Sequence, residues 1–186
     1  MAHIVLFHSV LGLRAIDRDL AREWEAAGHA VTLPDLYKGR ATDDCEEGFA
    51  LFREIGPPTI RQRAAAAIAT APEDSVLAGV SMGAGRVSDA WGDRPRSRGA
   101  LLVAGSADSS PDLGPGLPVQ AHIARPDPFG DEECFADWVA TNPGAALDLH
   151  RYDGAGHDVL DPALPDFDAA AARTCRAAML AFLAGL

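Results

Sequence analysis

Residues 75–85 read Ser75-Val76-Leu77-Ala78-Gly79-Val80-Ser81-Met82-Gly83-Ala84-Gly85. An apolar run leads into a serine with glycine two places before and two places after it, and the segment beyond can continue as helix. This is the pattern G-x-S-x-G in strand–turn–helix context. A sharp strand-to-helix turn strains the serine backbone and lifts Oγ clear of the sheet, and a Cβ two residues to either side would collide with the crossing backbone. Gly79 and Gly83 occupy those two places. The bare pattern is short enough to arise by chance, so its meaning depends on the elements around it.

Upstream, Ile4–Phe7 is a continuous apolar run of the kind expected for a strand buried on both faces, ending in His8-Ser9-Val10-Leu11-Gly12. Leu13–Ala27 reads as a helix with Leu13, Ile16, Leu20 and Trp24 at helical spacing and Gly28 as its stop. Ala30–Leu33 is a second short strand closed by Pro34-Asp35. In the long connection from Tyr37 to Pro58, Thr42-Asp43-Asp44-Cys45-Glu46 has the form of a helix start before Phe49, Phe52 and Ile55, and Gly56-Pro57 closes it. Segment 38–57 is therefore expected to hold an extra helix; leaving from the carboxyl end of a strand, it is expected to border the site as a partial lid, the alternative being a surface helix that packs Phe49 and Phe52 into the core.

Thr59–Thr70 is the next helix, leading to strand Val76–Ala78 and the serine turn. Downstream come helix Gly83–Trp91, strand Ala100–Ala104, a loop through Pro111–Leu117, strand Val119–Ala124, helix Asp131–Ala140, strand Ala146–Tyr152 and a closing helix Phe167–Leu183. Strands alternating with helices predict an α/β protein: about six mainly parallel strands with helices on both faces, one domain over residues 1–186. A chain of 186 residues is long enough to bury roughly 70% of its unfolded surface in one core.

Composition narrows the partners. A net charge of −11 disfavours nucleic acid and anionic membrane, which need a surplus of Lys and Arg. Cys45, Cys134 and Cys175 are odd in number and lie outside any C-x-x-C spacing, so neither a disulfide framework nor a metal site is expected. The start is apolar but too short for a secretory segment and lacks a basic flank, and no run reaches the roughly 20 apolar residues of a membrane helix. A cytoplasmic protein without cofactor is the expectation, its oligomeric state left open.

Chemistry in parallel sheets gathers at the carboxyl ends of strands. Ser81 follows the third strand, Asp127 lies three residues past the fifth and His157 five past the sixth, in Gly154-Ala155-Gly156-His157. A serine hydroxyl needs a base to take its proton, and the base needs an acid to hold its tautomer and orientation. The order nucleophile, acid, histidine is that of α/β-hydrolases. Asp131 is the alternative acid, although its place suits a helix cap. His8 also ends a strand and is expected to shape the loop beside the serine rather than act as base.

With these residues the chain resembles the dienelactone hydrolase family of α/β-hydrolases. The likeness is carried by Leu6-Phe7-His8-Ser9-Val10-Leu11-Gly12, Pro34-Asp35-Leu36-Tyr37, Gly79-Val80-Ser81-Met82-Gly83, Pro118-Val119-Gln120-Ala121-His122 with Asp127, Gly154-Ala155-Gly156-His157 and the terminal helix. The resemblance implies a compact α/β-hydrolase fold with no large cap domain, a triad of Ser81, Asp127 and His157, and an oxyanion hole from the backbone N–H groups of Val10 and Met82. It also implies hydrolysis of a small ester or lactone. The family's best-known members carry cysteine at the nucleophile and glutamate after the first strand, where this chain has Ser81 and Ser9. His8, Ser9, Tyr37 and Phe129 are expected at the substrate pocket, with Phe49, Phe52, Trp91 and Trp138 as further aromatic candidates. Two other classes stay open: a hydrolase-fold protein that binds without catalysis, and a nucleotide-binding protein using Gly79–Gly85, for which Ser88 stands where a third glycine belongs.

Overall fold

The computed structural model describes residues 1–107, 116–141 and 145–186. Ile4 to Phe7 are almost wholly buried, which is why that run carries no polar side chain: β1 (His3–Phe7) lies inside a sheet covered on both faces. After it come α1 (Ala15–Ala26), β2 (Ala30–Thr32), α2 (Cys45–Ile55), α3 (Pro57–Thr70), β3 (Val76–Val80) and α4 (Met82–Trp91). β4 (Ala100–Val103), β5 (Leu117–Arg125), α5 (Glu132–Thr141), β6 (Ala145–Asp153) and α6 (Ala169–Ala184) complete the order. The sheet runs β2-β1-β3-β4-β5-β6 with every neighbouring pair parallel. The loop expected over 111–117 falls, except for its last two residues, outside the described residues.

Alternation along the strands sorts the core into two layers. Val5, Phe7, Leu77, Leu102, Val119 and Ala121 pack with α3 and α4 on one face, joined by Trp138 of α5. Ile4, Leu6, Val76, Ala78, Leu101 and Val103 pack with Leu20 and Trp24 of α1 and with Cys175 and Met179 of α6 on the other. Among the described residues no cap domain stands over the sheet and no helix is long and apolar enough to cross a membrane.

The chain leaves β1 toward β2, then returns across it to β3, so the direction of winding reverses between β1 and β3. In open parallel sheets that reversal opens a crevice at the carboxyl ends of the strands. Ser81 and the Ser9–Val10 segment therefore stand side by side at its mouth.

The start of α2 falls inside the expected Thr42–Glu46 stretch. Asp44 caps α2 by accepting the Glu47 N–H at 2.8 Å, while Thr42 Oγ1 accepts the Asp44 N–H at 3.1 Å and bonds the Glu47 carboxylate. Asp44 prevails because an aspartate is at least as good a cap as threonine and its charge favours the positive end of the helix.

Candidate active site

Ser81 has φ 52° and ψ −111°, a backbone conformation that side-chain-bearing residues rarely adopt. Its cost, on the order of 1–3 kcal/mol, is met by the ladder on one side and the helix on the other: the Ser81 N–H donates to Val103 O at 2.8 Å, and Ser81 O accepts from the Ala84 N–H at 2.9 Å. A Cβ on Gly79 would lie 2.3 Å from the Gly83 carbonyl, and one on Gly83 would lie 2.2 Å from Phe7 O. The glycines thus let the turn press against β1. Met82 is the first residue of α4, so its N–H has no acceptor within the helix.

His157 comes four residues after β6 and Asp127 two after β5, on neighbouring strands. His157 Nε2 lies 2.9 Å from Ser81 Oγ, and Nδ1 lies 3.0 and 2.9 Å from the two Asp127 oxygens. An ionised carboxylate only accepts, so Nδ1 carries the imidazole proton and Nε2 is left to accept from the serine hydroxyl. The carboxylate also accepts the Phe129 N–H at 2.8 Å, and the two paired side chains are 5% and 1% exposed. Asp131 instead accepts the Cys134 N–H at 2.8 Å in the first turn of α5, and these bonds hold its carboxyl below the usual range.

The loop after β1 is held by His8. Its Nε2 accepts the Leu36 N–H at 3.1 Å, so Nδ1 bears the proton and donates to Ser9 O at 2.7 Å. Ser9 O also accepts the Gly12 N–H at 3.2 Å. In a trans peptide the N–H points opposite to the C=O, so these two bonds turn the Val10 N–H away from His8 and Gly12. His8 is fully buried, and burial lowers its pKa, keeping it neutral.

A cavity of about 340 Å³ opens beside Ser81, His157 and the Ser9–Leu11 segment. Phe49 and Phe52 of α2, Met82 and Phe129 supply its apolar walls, and Asp158 and Cys45 its remaining polar edge. The rings of Phe49 and Phe129 are 5.9 Å apart, and the Phe129 ring meets His157 edge-on at 4.6 Å. A second cavity of about 220 Å³ lies against the same serine and histidine, bounded by Gly105, Ser106, Asp127 and Phe135. Among the described residues no group of three His, Cys, Asp or Glu side chains is arranged to hold a metal.

Ser9 and Phe129, expected at the pocket, line the first cavity, as do Phe49 and Phe52; His8 and Tyr37 do not. Both sit beneath it, with rings 5.0 Å apart at right angles, and Tyr37 is 1% exposed with its hydroxyl 3.5 Å from Met82 Sδ. The Leu36 N–H bonds to the His8 imidazole, and both rings are buried outside the cavity lining. Trp91 and Trp138 are core residues, the latter donating to Ala107 O at 2.8 Å. Three wall residues went unread in the sequence: Leu11, Cys45 and Asp158. Cys45 was within reach, since it precedes Phe49 and Phe52 by four and seven residues and so shares their helix face.

A parallel sheet of this order, with a glycine-flanked serine at its crevice and histidine past the last strand, defines an α/β-hydrolase fold. The model of the dienelactone hydrolase family matches residues 1–186, and the chain belongs to that family of hydrolases. Among solved structures it is similar to P91, a dienelactone hydrolase-like promiscuous phosphotriesterase from metagenomic libraries, with 18% identity and a TM-score of 0.78 over 100% of this chain and 87% of that one. The structure of m3DLH is 18% identical with a TM-score of 0.80, covering 99% and 86% of the two chains. Esterase PE8 is 15% identical with a TM-score of 0.64, covering 99% and 92%. At these identities the likeness is one of fold. No curated protein matches the sequence.

Proposed function

We propose that this chain is a serine hydrolase of small carboxylic esters or lactones, with Ser81 as nucleophile, His157 as general base and Asp127 as the acid that orients it. The observation that carries the reading is the imidazole of His157, bonded through one nitrogen to a serine hydroxyl and through the other to a buried carboxylate. In the reaction Ser81 Oγ attacks the substrate carbonyl as its proton passes to His157 Nε2, and the oxyanion that forms accepts hydrogen bonds from the Met82 and Val10 N–H groups. Collapse expels the alcohol, which takes the proton from His157, and leaves an acyl-serine. Water, deprotonated by the same imidazole, then attacks the acyl group and releases the acid. The orienting bonds to Ser9 O support the Val10 donor, and the unpaired first N–H of α4 supports the Met82 donor.

Segment 38–57 acts in this reading as a fixed wall over the apolar side of the site. Gly48 of α2 lies so close to the loop after β1 that a Cβ there would be 3.1 Å from Val10 O.

Hydrolysis of a panel of p-nitrophenyl esters and lactones by the parent and by Ser81→Ala and Asp127→Asn tests the proposal. Loss of turnover in Ser81→Ala, and a loss of up to about 10⁴ in Asp127→Asn near neutral pH, are expected with the fold intact. Asp131→Asn should cost no more than a helix cap, about 1 kcal/mol of stability. Full turnover by Ser81→Ala is incompatible with the mechanism.

A further inference from the structure

Neither cavity beside Ser81 is lined by a Lys or Arg side chain among the described residues. The sequence holds none in 108–115 or 142–144 either. The ionisable groups that do border them, apart from His157, are Asp158 and Cys45 in the larger cavity and Asp127 and Cys134 in the smaller. Asp158 follows His157 directly and is half-buried; burial above all raises its pKa, the nearby Asp166 and Asp161 add to that, and His157 and Arg14 oppose it. Arg14 lines a small recess that shares Ser9, Leu11, His157 and Asp158 with the larger cavity, and there its Nε donates to Asp161 Oδ2 at 2.8 Å and another nitrogen donates to Thr42 O. A carboxylate entering the larger cavity would lose its water against Phe49, Phe52, Met82 and Phe129 and would meet Asp158, while Arg14 stands outside that lining and is paired with Asp161. The whole chain, at −11, repels an anion before it arrives.

Resting on the serine-hydrolase reading above, we propose that the site takes esters whose acyl and alcohol parts carry no carboxylate, and that Asp158 sets this choice at the wall of the larger cavity. The substrate class is thus a neutral ester with an apolar acyl or alcohol chain that packs in the larger cavity.

Methyl 4-methylpentanoate and monomethyl succinate give the test, because a terminal carboxylate has the shape of the branched methyl pair it replaces. Hydrolysis followed by pH-stat at pH 7.5 should show kcat/KM at least 100-fold lower for the succinate. Asp158→Asn should narrow that ratio fivefold or more, chiefly by raising the succinate rate. Phe129→Arg, placed at an exposed wall position and independent of whether Asp158→Asn folds, should raise the succinate relative to the neutral ester at least tenfold. A ratio within threefold in the parent, or one that neither variant moves, overturns the inference. Binding of 4-methylpentanamide and succinamate to Ser81→Ala, read from the Met82 methyl resonance, separates the two levels. Selective binding of the neutral amide upholds the charge choice even if no ester is turned over, a result that would count against the hydrolase reading alone. Equal binding of both amides contradicts the charge choice whatever the turnover.

Discussion

His8 shows how one buried side chain decides what a loop can do. Its two ring nitrogens are used up by Ser9 O and the Leu36 N–H, which fixes its tautomer and denies it any part as a base. What it sets is the plane of the Ser9–Val10 peptide, hence the aim of one proposed oxyanion donor. Replacing it with phenylalanine keeps the ring and removes both bonds. His8→Phe is expected to lower kcat by about 10–100-fold, below the cost of losing an oxyanion donor outright, with KM little changed. It should also lower stability by about 1–3 kcal/mol for the unsatisfied Leu36 N–H. His8→Asn, which restores a donor near the position of Nδ1, should recover part of kcat. Steady-state kinetics beside thermal melts check this; a kcat equal to the parent's, at the same loss of stability, would reduce His8 to a core residue. The sequence placed His8 at the end of a strand but could not show that the chain at Leu36 returns to cover it, because that contact spans 28 residues.

At the level of elements, α2 is where pattern reading reached the site and also where it stopped. The spacing of Phe49 and Phe52 is readable, but whether that face meets the core or the crevice depends on where the helix docks. Phe49 and Phe52 in fact do both, lining the cavity while packing on Val10 and Leu164. Substituting both by leucine enlarges the cavity with a modest core loss, so the preference for long over short acyl chains should rise severalfold in a p-nitrophenyl ester series. Unchanged selectivity with lowered stability would assign the pair to the core alone. The strands were legible almost to their ends because β1, β3 and β4 are buried on both faces and so carry unbroken apolar runs. β5 and β6 extend one or two residues further at each end than hydrophobicity indicated, since pairing over nine positions continues through Leu117–Pro118 at one end and Arg125 and Asp153 at the other.

Across the whole molecule, buried groups that the reaction does not use couple protonation to folding. His122 is 2% exposed between β4 and β6, its Nε2–H donating to Gln120 Oε1 and its Nδ1 accepting from Tyr152 OH, each at 2.8 Å. Burial, helped by the stacked His150, pushes its pKa down to about 3. Because the folded value lies below the unfolded one, its contribution is complete above about pH 6.5 and is lost as the pH falls toward 3, on the order of 5 kcal/mol in all. Asp17 works the other way. Burial raises its pKa to about 6, so its contribution is complete below the unfolded value of 3.8 and is lost as pH rises through 6, on the order of 3 kcal/mol. Between pH 7 and pH 4 the two effects largely offset each other, so each is read from its own variant. Asp17→Asn should stabilise the protein at pH 8 and lose that advantage by pH 4. Thermal melts of parent and variant across this range check the sign, and an Asp17→Asn advantage that grows as the pH falls would contradict it. These effects could not be read from the sequence, because a titration shift depends on burial and on partners brought in from other strands.

The proposal that Ser81 is the nucleophile of a covalent mechanism is tested most directly by trapping the acyl-serine. The protein is treated with a fluorophosphonate, or quenched in acid during turnover of a slowly hydrolysed ester, and the modified peptide is mapped by mass spectrometry. The predicted result is one adduct per chain, on Ser81, absent from Ser81→Ala and formed far more slowly in His157→Gln. An adduct on another residue, or rapid ester turnover with no adduct at Ser81 under either treatment, would contradict it.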